Sequence, residues 1–336
     1  MRPGDVDECV KIVSANQLLR VQYGNDLADL RAAWLCLLAT NPFCGTAVFE
    51  ETEGSRTRIL GVGVTVFVSD DFLRELKTPP CFWIGPELTS RIKRGDSPLL
   101  TEGQVREANS RDGLNLVTWH ASISPQDTGR MEVWNEVMAA FMKDHRGYRL
   151  KELVSHAECM VQAQGMRISG AKLWKAAGEG YCESWDDNLD NLLGNPHIIG
   201  LTRELALSGA LSWINSLFFY QAPLCGFSRS EQRLLLAALD GGTDEELSDA
   251  MAISLDTVKK TWRLIYERAE ACLPKLLPSA LPTENGVPRG KGKKQLLLAY
   301  LREHWEELRP VSIKSLRENA QQCPSVLTGV TSNGVV

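Results

Sequence analysis

Residues 227–268 read FSRSEQRLLLAALDGGTDEELSDAMAISLDTVKKTWRLIYER and carry the clearest structural signal in the chain. Their apolar residues recur at helical spacing in three runs, which are separated by Gly241-Gly242 and by the short segment 251–253. One small core shared by three short helices accounts for this pattern. The residues predicted to form that core are Leu234, Leu235, Ala238, Leu247, Ile253, Val258, Trp262 and Ile265.

Each of the three helices has a recognisable first residue. Ser228 is followed three positions later by Glu231, and Thr243 is followed in the same way by Glu246. Both pairs have the pattern of a capping box, in which hydroxyl and carboxylate exchange hydrogen bonds with backbone N–H groups at a helix start. Ser254 is the expected N-cap of the third helix, which follows the second after a tight turn.

The third helix has two different faces. Its apolar face is formed by Val258, Trp262, Ile265 and Ala269, and its polar face by Asp256, Lys259, Lys260, Arg263 and Glu267. One face therefore belongs to the core, while the other is left for a partner. Two helices joined by a tight turn, with cations on the second, indicate a helix-turn-helix of the kind that enters a DNA groove.

The segment resembles the C-terminal DNA-binding domain of LuxR-type transcriptional regulators, and region 4 of sigma factors shares much of the pattern. The matching positions are Glu231, Leu234, Leu235, Gly241, Glu246-Leu247-Ser248, Ile253-Ser254, Thr257-Val258-Lys259 and Ile265. The resemblance implies a recognition helix over residues 254–268. It also implies a DNA-binding set of Ser254, Thr257, Lys259, Lys260, Thr261 and Arg263, in which Ser254 and Thr257 lie near phosphates. Thr261 stands where family members commonly carry a histidine.

The second helix departs from the family because it begins with Asp244, Glu245 and Glu246, where members often carry an amide or a base. Residues 227–270 are net acidic, and DNA affinity depends on neutralising phosphates. A single copy should therefore bind DNA weakly, which favours a homodimer on two half-sites. Expected partners are double-stranded DNA, RNA polymerase and an unidentified small-molecule or protein effector. A helix-turn-helix that binds protein instead of DNA remains an alternative.

Residues 1–200 alternate between helical and strand-like patterns. The predicted helices span 6–16, 27–38, 131–145 and 150–164, and the predicted strands span 46–50, 59–68, 114–123 and 165–171. This order indicates an α+β domain with a mostly antiparallel sheet. The whole chain is then a sheet-and-helix sensor domain followed by an all-α helix-turn-helix domain.

The N-terminal part also resembles GNAT-type acetyltransferases. Residues 2–13, RPGDVDECVKIV, resemble the family's first strand and helix, and 59–68 resembles a central strand. Members bind the coenzyme A pyrophosphate in a turn of pattern Q/R-x-x-G-x-G/A at a helix start. The nearest string, residues 145–150 (HRGYRL), lacks the second small residue. We therefore expect a sensor with no catalytic residues and no cofactor, with an acyltransferase as the alternative.

Composition shifts predict the remaining boundaries. A mostly apolar helix over 201–226 would either connect the domains or pack between subunits. The helix-turn-helix domain would extend to 278, and 279–292 would be a linker. A C-terminal helix over 293–310 carries Leu297, Leu301, Trp305 and Leu308 on one seam, which would dock on its own protomer or on a second copy. The basic residues Arg289, Lys291, Lys293 and Lys294 would either contact phosphates or form a solubilising helix start. Residues 311–336 would be a flexible tail.

The composition of the chain is that of a globular protein, with 43% hydrophobic and 24% charged residues and a net charge of −5. Its nine cysteines form no Cys-x-x-Cys pair, and its five histidines complete no metal-ligand spacing. We therefore expect reduced thiols and no metal. No leader and no long apolar run is apparent, which predicts a cytoplasmic protein without membrane contact.

Overall fold

A computed structural model describes residues 1–40, 43–52, 55–78, 82–156, 160–168, 170–174, 181–182, 198–208, 212–277 and 289–310. The chain divides into two compact units, Met1–Pro223 and Leu224–Val336. The first unit combines a sheet with helices, and the described part of the second is helical, so the protein has mixed α and β structure. The predicted tail, 311–336, and most of the predicted linker, 279–288, lie outside the described residues.

The first unit begins with helices α1 to α3 and then alternates strands with helices. Its helices are α1 Val6–Ala15, α2 Gln17–Tyr23, α3 Leu27–Thr40, α4 Asp70–Leu76, α5 Ile84–Arg94, α6 Glu102–Ser110, α7 Met131–His145, α8 Met160–Ile168 and α9 Arg203–Ser208. Its strands are β1 Phe43–Thr52, β2 Ser55–Val68, β3 Leu114–Ile123, β4 Leu150–Ser155, β5 Lys172–Trp174, β6 Tyr181–Cys182 and β7 Ile199–Thr202.

The strands form one sheet in the order β1-β2-β3-β4-β7-β5-β6. β3 and β4 run parallel, whereas the other described pairs are antiparallel, which confirms the expectation of a mostly antiparallel sheet. Alternating residues of β2, including Val62, Val64 and Val66, are buried in a core that also contains α1 and α3. The β-branched residues of this segment therefore behave as their strand propensity predicts.

The prediction of a helix over 150–164 was wrong. Residues Leu150–Ser155 form β4, and a helix begins only at Met160. β4 is covered on both edges by β3 and β7, so five of its six residues are buried in an almost continuous run. Such a run also fits helical spacing, which explains the error.

Two shorter strand predictions were also wrong. The expected return strand over 165–171 is occupied by the end of α8, which is followed by Gly170 at φ 86° and by a turn. The expected opening strand is a 3₁₀ turn over Pro3–Asp5, which leads directly into α1.

The predicted connector helix over 201–226 is not a single helix. Its start belongs to β7, its next residues form α9, and Trp213–Phe218 is a 3₁₀ helix. The apolar residues that suggested one long helix lie in different elements but share one core. Leu201 is in strand β7, Leu217 and Phe218 are in the 3₁₀ helix, and all three pack in a second core of the first unit.

The described part of the second unit contains four helices, α10 Arg229–Leu239, α11 Asp244–Met251, α12 Leu255–Cys272 and α13 Arg289–Glu303, followed by a 3₁₀ helix over Trp305–Leu308. Both predicted capping boxes are present, and Ser254 caps α12 as expected. Ala252 adopts a left-handed conformation (φ 52°) at the tight turn between α11 and α12. The three helices of residues 227–268 therefore begin and turn where the sequence predicts.

The predicted core of this unit is confirmed, and its seven residues other than Ile253 are buried while Ile253 is partly buried. The apolar seam of α13 and the following 3₁₀ helix packs on α10, so it docks on its own protomer. Cys225 and Cys272 form a disulfide that joins the segment before α10 to the end of α12. The expectation that all cysteines are reduced was therefore wrong for this pair.

Candidate nucleic-acid interface

Helix α12 is held with one face in the core and the other in solvent. Val258, Trp262 and Ile265 point into the core. At the start of the helix, the Ser254 hydroxyl accepts a hydrogen bond from the backbone N–H of Thr257 at 3.1 Å. This arrangement fixes which residues of α12 face outward, because helical geometry ties the outer face to the buried one.

Three cations lie on the outer face of α12. The side chains of Lys259, Lys260 and Arg263 are exposed. Lys260 pairs with Asp256 at 2.8 Å, and Arg263 pairs with Glu267 at 3.1 Å. Both are pairs of exposed side chains one helical turn apart, which contribute little to stability. The pairs therefore hold the two cations only weakly, and both cations stay available to a phosphate or a base edge.

Hydrogen bonding to Asp256 and its negative charge raise the pKa of Lys260, which keeps the ammonium protonated. Among the described residues, none forms an ion pair with Lys259. Lys259 therefore needs to break no ion pair with a described residue before it binds an anionic partner.

The three hydroxyl residues of the predicted DNA-binding set are already engaged with α12 itself. The hydroxyls of Ser254 and Thr257 lie 2.8 Å apart, within the helix cap. Thr261 is half-buried, and its hydroxyl donates to the carbonyl oxygen of Thr257 at 2.8 Å. All six predicted residues lie on α12 or at its N-cap. Five of them are exposed, whereas Thr261 lies at the edge of the exposed face.

Two of the three acids at the start of α11 have polar partners within the unit, although Glu245 and Glu246 are exposed. The Glu246 carboxylate accepts a hydrogen bond from the backbone N–H of Thr243 at 2.8 Å. Asp244 pairs with Lys294 of α13 at 3.0 Å. The ion pair with Lys294 offsets the charge of Asp244, whereas the backbone partner of Glu246 is neutral. Glu246 and the exposed Glu245 therefore still repel an anionic partner.

Two of the basic residues at the start of α13 are likewise already paired within the unit. The ammonium of Lys294 also lies 4.9 Å from the centre of the Trp262 ring, a cation–π contact. Lys293 pairs with Glu270 near the end of α12. These two lysines therefore fasten α13 to the helix-turn-helix. The side chains of Arg289 and Lys291 lie outside the described part of the chain.

Two features of this surface were missed in the sequence. Leu264 is 55% exposed on α12, and Arg268 pairs with the buried Glu231 of α10 at 3.3 Å. A helical wheel places Leu264 beside Lys260, so its position could have been found. The pairing of Arg268 could not, because its partner lies 37 residues earlier in the chain.

No protein-family model matches this chain, and comparison with curated proteins finds no similar sequence.

The string of residues 145–150, considered for a pyrophosphate turn, lies at the end of α7 and the start of β4. The end of a helix presents carbonyl oxygens, which repel phosphate. One junction with the required order, strand then turn then helix, is the segment 124–130 between β3 and α7. The strand predicted over 114–123 ends directly before this turn, so the sequence already contained the signal for it.

Residues 126–131 read QDTGRM, which has the glutamine and the first glycine of the family pattern, but Met131 stands at the second small position. Asp127 is buried within this turn. Its carboxylate accepts hydrogen bonds from Arg58 at 2.6 and 2.9 Å and from Arg130 at 3.0 Å. These arginines lower the pKa of Asp127. The turn therefore holds a carboxylate of its own between two guanidinium groups.

Within the described residues, no group of three or more histidine, cysteine or acidic side chains is placed to hold a metal ion. No described helix is both long enough and apolar enough to cross a bilayer.

Proposed function

We propose that this protein is a transcriptional regulator that binds double-stranded DNA through α12, as the LuxR-like pattern of residues 227–270 implies. One observation carries the proposal: α12 is fixed by its buried face and leaves Lys259, Lys260 and Arg263 exposed together on the other. A helix of this kind fits the major groove, which admits an α-helix. Ser254 and Thr257 would lie near phosphates at the start of the helix.

In this proposal the cations divide the work of binding between phosphates and bases. Each phosphate that a cation neutralises releases counterions. It makes the slope of log binding constant against log salt concentration more negative by about 0.9. A cation that reaches a guanine edge adds roughly 1–3 kcal/mol of discrimination. Since the carboxylates of Asp256 and Glu267 accompany two of the cations, binding by one copy should be weak. A homodimer on two half-sites would supply the missing affinity.

The first unit would act as the sensor, responding to a small-molecule or protein effector, and RNA polymerase would be a further partner at the promoter. The regulator would act in the cytoplasm. We assign no catalytic residue and no cofactor to it.

The test is selection of genomic DNA fragments by the purified full-length protein across a salt series, followed by sequencing. We expect a short palindromic motif and salt-sensitive retention. The variant Lys260→Ala with Arg263→Ala should lose this binding and keep its thermal stability, because both side chains are exposed. The control, Lys275→Ala with Arg302→Ala, removes two other exposed cations of the same unit and should bind like the wild type. Equal retention of DNA by both variants would contradict the proposal. Retention of no DNA even at low salt would favour a protein-binding helix-turn-helix.

A second candidate is an acyltransferase activity of the first unit, favoured by the glutamine and glycine of the turn 126–131 at the start of α7. Met131 and the buried Asp127 oppose it, since both occupy a turn that would have to admit a diphosphate. Calorimetry with acetyl coenzyme A decides between the two. A rise in the unfolding temperature of the first unit, together with turnover on an amine, would establish the enzyme.

A further inference from the structure

An acidic side chain lies on the face of α12 that would meet DNA, in the first turn of the helix. Asp256 is two residues after the N-cap Ser254, and its side chain is 73% exposed. Phosphates repel a carboxylate, so this residue weakens DNA binding unless it meets a hydrogen-bond donor. In the major groove such donors are found on the base edges.

The position of Asp256 along the helix brings it to the bases. Recognition helices of helix-turn-helix proteins contact base edges with their N-terminal residues. The other acid of this face, Glu267, lies eleven residues further on, which is about 16 Å along the helix axis. Asp256 would therefore lie over the floor of the groove, and Glu267 would lie toward its rim.

Asp256 does not reach the bases alone, because its carboxylate oxygen lies 2.8 Å from the ammonium of Lys260. In a G·C base pair, the N4 amino group of cytosine and O6 of guanine are joined by a hydrogen bond, whose ordinary length is about 2.9 Å. The ion pair places an acceptor, the Asp256 carboxylate, beside a donor, the Lys260 ammonium. The base pair places a donor, cytosine N4, beside an acceptor, guanine O6, at nearly the same spacing.

The hydrogen-bonding capacity of both partners suits this arrangement. The carboxylate can accept the N4–H of cytosine that is not used in base pairing, while the ammonium, with three donors, can reach O6 and N7 of guanine. An A·T pair fits less well, because the carboxylate beside N6 would also face the acceptor N7 of adenine. The acceptor N7 of adenine therefore makes G·C the better partner for the ion pair.

We propose that Asp256 and Lys260 together read one G·C base pair in each half-site, so that Asp256 determines specificity rather than merely opposing binding. This inference rests on the DNA-binding function proposed above. It assigns to the acid a role that the charge of the helix alone does not suggest.

The experiment is selection from a random duplex library with the full-length wild type, Asp256→Asn and Glu267→Gln. Asparagine prefers N6 and N7 of adenine, so Asp256→Asn should replace cytosine by adenine at one position of each half-site, with a change in preference on the order of tenfold. Glu267→Gln is the matched control. It also removes one negative charge from the same face, and it also breaks an ion pair between residues one helical turn apart. It should change affinity and salt dependence while keeping the motif.

A second measurement keeps the protein constant and changes the DNA. Replacing the cytosine of that position by N4-methylcytosine removes the hydrogen that Asp256 would accept. The wild type should lose affinity on the order of tenfold, and Asp256→Asn should lose much less. If the wild type selects a motif that Asp256→Asn leaves unchanged, or if both proteins respond equally to the methylated base, the assignment of Asp256 is overturned while the DNA-binding function stands. If the wild type selects no DNA, both proposals fail.

Discussion

Removing the disulfide between Cys225 and Cys272 is expected to destabilise the second unit by about 4 kcal/mol. The two cysteines are 47 residues apart, and the loop they close contains all of α10, α11 and α12 up to its last residue. Closing a loop of this length restricts the unfolded chain, and the chain-entropy relation gives the quoted magnitude. Loss of the bond should therefore favour the unfolded form of the helix-turn-helix in particular.

Hydrogen exchange in the full-length protein measures this effect by location. The variant Cys225→Ser with Cys272→Ser should speed the exchange of the most protected amides of α10 and α12 by about a thousandfold, because 1.4 kcal/mol corresponds to a factor of ten. The amides of β2 and β3, in the other unit, serve as the internal control. A variant at the exposed Cys36, Cys36→Ser, controls for the loss of a sulfur atom elsewhere. Acceleration of less than tenfold in α10 and α12, or equal acceleration in both units, would refute the loop-closure argument.

Variants at three further residues test other contacts by equilibrium unfolding. Glu307 is buried and accepts hydrogen bonds from the backbone N–H groups of Leu224 and Cys225 at 2.8 and 3.0 Å, so Glu307→Ala should cost roughly 2–5 kcal/mol, whereas Glu307→Gln should cost less. Hydrogen bonds from Arg58, followed by those from Arg130, lower the pKa of Asp127 below its usual 3.8. The free energy that ionised Asp127 contributes to folding is therefore present above that pH and is lost as the pH falls through the folded-state pKa. Asp127→Asn should therefore be less stable near neutral pH and should show a flatter loss of stability in acid; an unchanged acid profile would contradict this. Ser254→Ala removes the cap of α12 and should cost about 1 kcal/mol, and Ser254→Asn should restore most of it, as thermal unfolding can check.

Much of the helix-turn-helix unit could be predicted because its signals are local. The capping boxes at Ser228 and Thr243 join residues only three positions apart, so they form wherever the chain turns into a helix. The exposed face of α12 follows from its buried face through the helical period. The same period placed α7 at the bounds found in the structure, and β3 was also predicted at its observed bounds.

The errors arose where the environment of a segment depends on distant parts of the chain. The stretch 150–155 satisfies a helical pattern, yet it is a strand because β3 and β7 supply hydrogen bonds along both of its edges. The basic residues at the start of α13 suggested free cations, but Lys293 and Lys294 meet carboxylates that lie 23 and 50 residues away. In the same way, nothing near Cys225 identifies Cys272 as its partner.

The sequence by itself determined the three helices of residues 227–268, their starts and the side of α12 that carries its cations. Local hydrogen bonds and helical periodicity are sufficient for these features. Only the tertiary structure decided which of the unit's charges are already paired, that α13 docks on its own protomer and that a disulfide closes the loop around α10 to α12. These features depend on contacts between residues far apart in the chain, whose partners are chosen by packing and not by spacing.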